Sequence, residues 1–226
     1  MIKLISSMAT RQVLAELATQ WQTATGIEVN IESVGGVDAA KRVQAGEAFD
    51  GVVLASDAIE KLAAAGHTAA GSRVDLVRSS VAVAVKAGTP VPDISTESAL
   101  RSAIAAAPTI GYSTGPSGVA LVKLFEKWGM QDTLQSRIVQ APPGIPVGTL
   151  VARGEVALGF QQLSELMHLD GITVVGTLPE AVAITTVFSA ATCSASSQQE
   201  TVAKLFAFMA AHEAASVKQK HGMQPA

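Results

Sequence analysis

One cysteine, one tyrosine and four histidines in 226 residues exclude several kinds of chemistry at the outset. A lone thiol, Cys193, has no partner for an intrachain disulfide and cannot build a paired-thiolate metal site. It lies among small residues, the setting of a buried, unreactive thiol. The histidines are scattered without ligand spacing, so the chain calls for no metal and no cofactor. Charged residues make up only 15% of the chain and the net charge is −3, which leaves no basic field for nucleic acid. Apolar runs fall well short of the ~20 residues that a membrane-crossing helix needs, so membrane insertion is excluded as well. A leader pattern is also missing: Met1-Ile2-Lys3-Leu4-Ile5 enters a strand directly, with no basic n-region, apolar h-region or cleavage site. As written the chain reads as cytoplasmic; as a trimmed mature form it would be periplasmic.

What the chain has in abundance is apolar residue, 48% of the total, arranged in regular alternation. A strand at 2–5 leads to a helix at 9–24, whose Val13, Leu14, Leu17, Ala18 and Trp21 form one apolar stripe, with Gly26 as its stop. Strands at 27–31 and 49–54 alternate with short helices at 37–44 and 57–65. Strand–helix order with short turns predicts a parallel sheet covered on both faces. The long apolar run 74–85 and the segment Gly88-Thr89-Pro90 predict a crossing into a second lobe, where a new α/β series begins near Ser98. Its strands fall at 109–112, 138–140, 156–160 and 172–175, and its helices at 98–106, 118–128 and 147–152. The run 184–189 predicts a return crossing, and 198–211 a terminal helix with Val202, Leu205, Phe206 and Met209 on one face. The fold class is therefore α/β in two lobes, 1–84 with 184–226 and 85–183.

Two turns carry the chemistry. Gly111-Tyr112-Ser113-Thr114-Gly115-Pro116-Ser117-Gly118 joins a short strand to a helix, and Ser6-Ser7-Met8-Ala9-Thr10 does the same at the start of the chain. Glycine and hydroxyl residues at a helix N-terminus offer free backbone N–H groups, hydroxyls and the positive end of the helix dipole, which together suit an anion. Capping of the helix is the plainer use of such serines.

The order Leu4-Ile5-Ser6-Ser7, Gly35-Gly36, Phe49-Asp50-Gly51-Val52-Val53-Leu54, Tyr112-Ser113 and Gly154-Glu155-Val156-Ala157-Leu158-Gly159 resembles the type II periplasmic binding proteins, in their molybdate-binding branch. The resemblance spans essentially the whole chain. It implies a two-lobe fold with two crossing strands and an interlobe ligand cleft, and a small anionic ligand held by hydroxyls and backbone amides without a counter-cation. If the chain is exported, it also implies an ABC transporter permease as partner. Residue by residue, it places the first-turn serine on Ser6 or Ser7, the second-turn donor on Gly35, Gly36 or Val37, and the lobe-two turn on Ser113, Thr114 and Ser117. A helix-terminal amide falls on Val147, and the family's tyrosine position on Gln161 or Gln162. The second turn lacks the family's serine and the tyrosine is replaced by an amide, a change that fits a larger organic acid. Gln161 and Gln162 also follow a buried strand, where satisfying local backbone groups is an alternative use.

Arg153-Gly154-Glu155, Phe160-Gln161-Gln162-Leu163-Ser164-Glu165-Leu166 and Arg73-Val74-Asp75-Leu76 are similar to the aconitate isomerases, which place an enzyme on the same scaffold. The resemblance thus implies an anion-binding receptor of the ABC-transporter type, with interconversion of cis- and trans-aconitate as the alternative. Proton transfer would require an acid/base group. Tyr112, Glu165, His67 and His168 are titratable groups near the predicted turns, and none forms a recognisable pair in the sequence. Arg73 and Arg78 near a crossing could grip a carboxylate, with pairing to Asp75 the plainer use of Arg73.

Overall fold

The computed structural model describes residues 1–142 and 144–226. Along the chain the elements are β1 (Ile2–Ser7), α1 (Arg11–Thr25), β2 (Val29–Val34), α2 (Gly36–Gln44), β3 (Gly51–Ala55), α3 (Ser56–Ala64) and β4 (Val74–Lys86). Then come α4 (Glu97–Ala106), β5 (Ile110–Tyr112), α5 (Pro116–Lys127), α6 (Gln131–Leu134), β6 (Ile138–Gln140), α7 (Val147–Arg153), β7 (Leu158–Gln162), α8 (Leu163–Leu166) and β8 (Ile172–Thr177). The last elements are β9 (Thr185–Thr192), α9 (Gln199–Ala210), α10 (Ala215–Lys220) and β10 (Met223–Pro225). The chain divides into two compact units, Met1–Ser79 with Thr186–Ala226, and Ser80–Thr185.

In the first unit β1 pairs in parallel with both β2 and β3, while β9 runs antiparallel to β3 and β10 antiparallel to the first half of β4. The all-parallel sheet expected from strand–helix order therefore holds for β2-β1-β3 and gives way where the chain returns. Alternation along β1 decides which core each side chain joins. Ile2 and Leu4 enter one cluster with Leu14, Leu17 and Trp21 of α1, Phe188 of β9 and Phe206 and Met209 of α9. Ile5 enters the opposite cluster with Val52 and Leu54 of β3 and Ile59 and Leu62 of α3. Both faces of this sheet are thus covered, and each fully buried leucine or isoleucine contributes about 1.5–3 kcal/mol. Packing is tight at Gly51, where an added Cβ would lie 2.6 Å from Phe206 Cζ. The stripe on α1 ends at Gly26, whose φ of 73° closes the helix as expected of a C-terminal glycine. β2 begins two residues later than the alternation suggests because its ladder runs from Ile2↔Val29 to Ser7↔Val34.

In the second unit β5 pairs in parallel with β6 and β7, and the second half of β4 runs antiparallel to β7 and β8. Phe125 of α5 packs edge-on against Phe160 of β7, ring centroids 6.4 Å apart, inside a cluster with Leu100, Ile104 and Leu121. β7 extends past the expected end at 160 because its ladder with β4 continues through Gln161↔Ala82 and Gln162↔Val81. Parallel strands align their carboxyl ends, so each unit gathers its strand-to-helix turns along one sheet edge. In open α/β sheets this edge is where ligands bind.

Candidate functional site

At the carboxyl edge of the first unit, Ser6 and Ser7 end β1 and differ in their commitments. Ser6, fully buried, shares a hydrogen bond with Ser33 Oγ of β2 at 2.8 Å and lies 3.3 Å from the Ser7 carbonyl. Ser7 precedes a single 3-10 turn (Met8–Thr10), yet its side chain makes no capping hydrogen bond. Its Oγ is buried and has no hydrogen-bond partner among the described residues. Thr10 donates to the Ser7 carbonyl at 3.1 Å and fixes the turn. Gly36, the first residue of α2, comes close to Ser7: a Cβ built on it would lie 3.8 Å from Ser7 Cβ. Leaving a buried hydroxyl unbonded costs about 1–3 kcal/mol, and such an atom calls for a partner.

At the carboxyl edge of the second unit, the turn after β5 brings Ser113 and Ser117 together, Oγ to Oγ 3.2 Å. Ser117 is buried and Thr114 exposed. Gly115, not a serine, occupies the cap position of α5, with Pro116 following as its first residue. The turn is possible only because residue 118 is glycine, since a Cβ there would stand 1.8 Å from the Ser113 carbonyl oxygen.

Gln161 and Gln162 are both buried at the end of β7. Gln161 Oε1 accepts hydrogen bonds from Val147 N at 2.8 Å and Gly148 N at 3.4 Å, so the amide of Val147 is engaged by a side chain of its own unit. The other end of the same side chain, Nε2, donates to Glu165 Oε1 at 2.8 Å. Glu165 is half-buried in α8, and loss of solvation raises its pKa to about 7 although the Gln161 hydrogen bond pulls the other way. Sequence reasoning counted Glu165 among titratable groups without giving it a partner. The four-residue spacing from Gln161 is the signal that connects them.

Two arginines, Arg73 and Arg42, are held by carboxylates. Arg73 donates to Asp75 at 2.9 Å and also pairs with Glu60. Asp75 in turn accepts from Ser189 at 2.6 Å, and these bonds hold its pKa below the usual range. Arg42 pairs with Glu32 and Glu47 and lies over the Phe49 ring. The groups named at the two edges are hydroxyls, amides and one carboxyl, with no lysine or arginine among them. Cys193 is buried, and burial pushes its thiol up to about 12. Among the described residues no cluster of His, Cys, Asp and Glu could hold a metal ion, and no helix is long and apolar enough to cross a membrane.

Known proteins resemble this chain in sequence and in fold. The chain is 35% identical over 230 residues to an aconitate isomerase from a Pseudomonas species, covering 99% of this chain and 87% of that one. The periplasmic molybdate-binding protein of Azotobacter vinelandii superposes with a TM-score of 0.83 at 22% identity, over 99% of this chain and 98% of the other. A tungstate ABC transporter structure from Geobacter sulfurreducens superposes with a TM-score of 0.75 at 14% identity over 97% of each chain. The fold is that of the type II periplasmic binding proteins, as the order of glycine and serine turns implied. With residues 2–224 matched by the family's model, the chain belongs to the bacterial extracellular solute-binding proteins.

Proposed function

We propose that this chain binds a small anion, an organic carboxylate or a tetrahedral oxyanion, as the solute receptor of an ABC-type transporter. The observation that carries the reading is the Ser7 hydroxyl: buried, unpartnered among the described residues, not used as a cap, and set beside Gly36 at a carboxyl edge of parallel strands. A ligand oxygen would supply the hydrogen bond it lacks. In the second unit Ser113 and Ser117 form the corresponding hydroxyl pair. Periplasmic residence and a permease partner follow from the same reading.

The test is a thermal-shift series with molybdate, tungstate, sulfate, phosphate, citrate and both aconitates, run on the wild type and on Ser7→Ala. Ligand binding to the native state alone raises the melting temperature. A shift that Ser7→Ala reduces supports the reading; no shift with any of these anions removes it.

A second reading, isomerisation of aconitate, is supported by the Pseudomonas relative, which matches along nearly the whole chain. Proton NMR of cis-aconitate incubated with the protein decides it: accumulation of the trans isomer makes the chain an enzyme, and an unchanged spectrum leaves the receptor.

A further inference from the structure

Gln161 has no freedom in how its amide is oriented. Its oxygen accepts from two backbone N–H groups, Val147 and Gly148, so its nitrogen must be the end that faces Glu165. Glu165 Oε1 is therefore an acceptor in either protonation state, and a proton on this carboxyl resides on Oε2. Among the described residues Oε2 has no hydrogen-bond partner. β7 and α8 place the group at the edge that also carries the Ser113–Ser117 turn.

The elements packed around α8 bring no charge to bear on it. β7 and β8 contain no ionisable side chain, and the second half of β4 ends in Lys86, beside Gly154. α7 carries only Arg153, at its far end and 3.9 Å from Glu155. His168 and Asp170 lie in the turn after α8, and neither enters the balance on Glu165, which is set by lost solvation and Gln161. Without a cation to neutralise it, an ionised Glu165 would repel an incoming carboxylate. A protonated Glu165 would instead donate to it, since two carboxyl groups in contact share one proton.

We propose that Glu165, fixed by Gln161, is a hydrogen-bond donor to an organic carboxylate ligand, so that each ligand is taken up together with a proton. This inference rests on the anion-binding reading and narrows it to organic acids.

The probe is tricarballylate, a saturated tricarboxylate with no double bond to move. Titration calorimetry between pH 6.5 and 8.5, each point in two buffers of different ionisation enthalpy, reads affinity and proton uptake together. For the wild type, affinity should fall with rising pH above about 7, approaching tenfold per unit, with up to one proton taken up per ligand. Glu165→Gln, whose amide still donates, should bind with an affinity independent of pH and take up no proton. Wild-type binding without proton uptake overturns the inference, as does the same pH slope in Glu165→Gln. Binding of molybdate but not tricarballylate overturns it while the anion reading stands; binding of neither removes both.

Discussion

Ser6 and Ser33 face each other across the β1–β2 ladder, their hydroxyl oxygens 2.8 Å apart. That cross-strand bond separates the roles of two serines that are adjacent in sequence. Ser7, one residue on, points its hydroxyl where no neighbour among the described residues meets it. Ser7→Ala should weaken anion binding five- to thirtyfold, the equivalent of about 1–2 kcal/mol, with little loss of stability. Ser6→Ala should do the reverse, lowering stability by about 1 kcal/mol as Ser33 loses its partner, with binding retained. Calorimetric titration and urea denaturation of the two variants check the contrast.

The 113–117 turn offers a second contrast. A methyl group at residue 118 would overlap the Ser113 carbonyl oxygen, whereas one at 115 meets nothing nearer than Ser113 Oγ at 3.6 Å. Gly118→Ala should therefore destabilise the protein by about 2 kcal/mol or more and disrupt the Ser113–Ser117 pair. Gly115→Ala should stay within about 0.5 kcal/mol of the wild type in the same denaturation experiment.

Glu165 makes stability depend on pH in a definite direction. Its folded pKa, about 7, stands above the ordinary 4.5, so at low pH it is neutral in both states. As pH rises from about 4.5 to about 7 the unfolded chain ionises first, and stability falls before levelling off. Glu165→Gln should raise stability at pH 8 by on the order of 2–3 kcal/mol and leave it nearly unchanged at pH 4. Denaturation midpoints of both proteins across this range give the answer.

Gly35, Gly36 and Val37 are the positions where the resemblance to the molybdate branch implies a serine, and a Cβ on Gly36 would reach Ser7. The φ of Gly36 is not in the left-handed region, and an added Cβ would make ordinary contacts with Ser7 Cβ at 3.8 Å and Leu54 Cδ2 at 3.9 Å. Gly36→Ser should thus fold normally and place a second hydroxyl beside Ser7. Molybdate and tungstate should gain affinity relative to tricarboxylates, as a competition titration would show.

Much of this architecture is written in local periodicity. The stripe Val13, Leu14, Leu17, Ala18, Trp21 and its stop at Gly26 define α1 because a helix of fifteen residues repeats its pattern often enough to be recognised. α8, four residues long, has no period to recognise, and Met223–Pro225 joins β4 only because the chain returns there. The hydroxyls at 6, 7, 113 and 117 were legible as residue types. Which of them was committed elsewhere was not, because Ser33 lies 27 residues from Ser6 and only strand pairing unites them. Gln161 and Gln162 looked equivalent in sequence; their difference arises from α7, whose backbone N–H groups reach Gln161.

The first unit is assembled from both ends of the chain, and this has a consequence for synthesis. When β3 leaves the ribosome its antiparallel neighbour β9 has yet to be made, and Ile2 and Leu4 must wait for Phe188, Phe206 and Met209. The second unit, by contrast, is encoded in one uninterrupted stretch, Ser80–Thr185. A nascent chain that has emerged only as far as residue 185 therefore carries a complete second unit together with an apolar half-sheet in search of cover. Holdase chaperones recognise such surfaces, and the interval before β9 and α9 emerge is when this protein would depend on them.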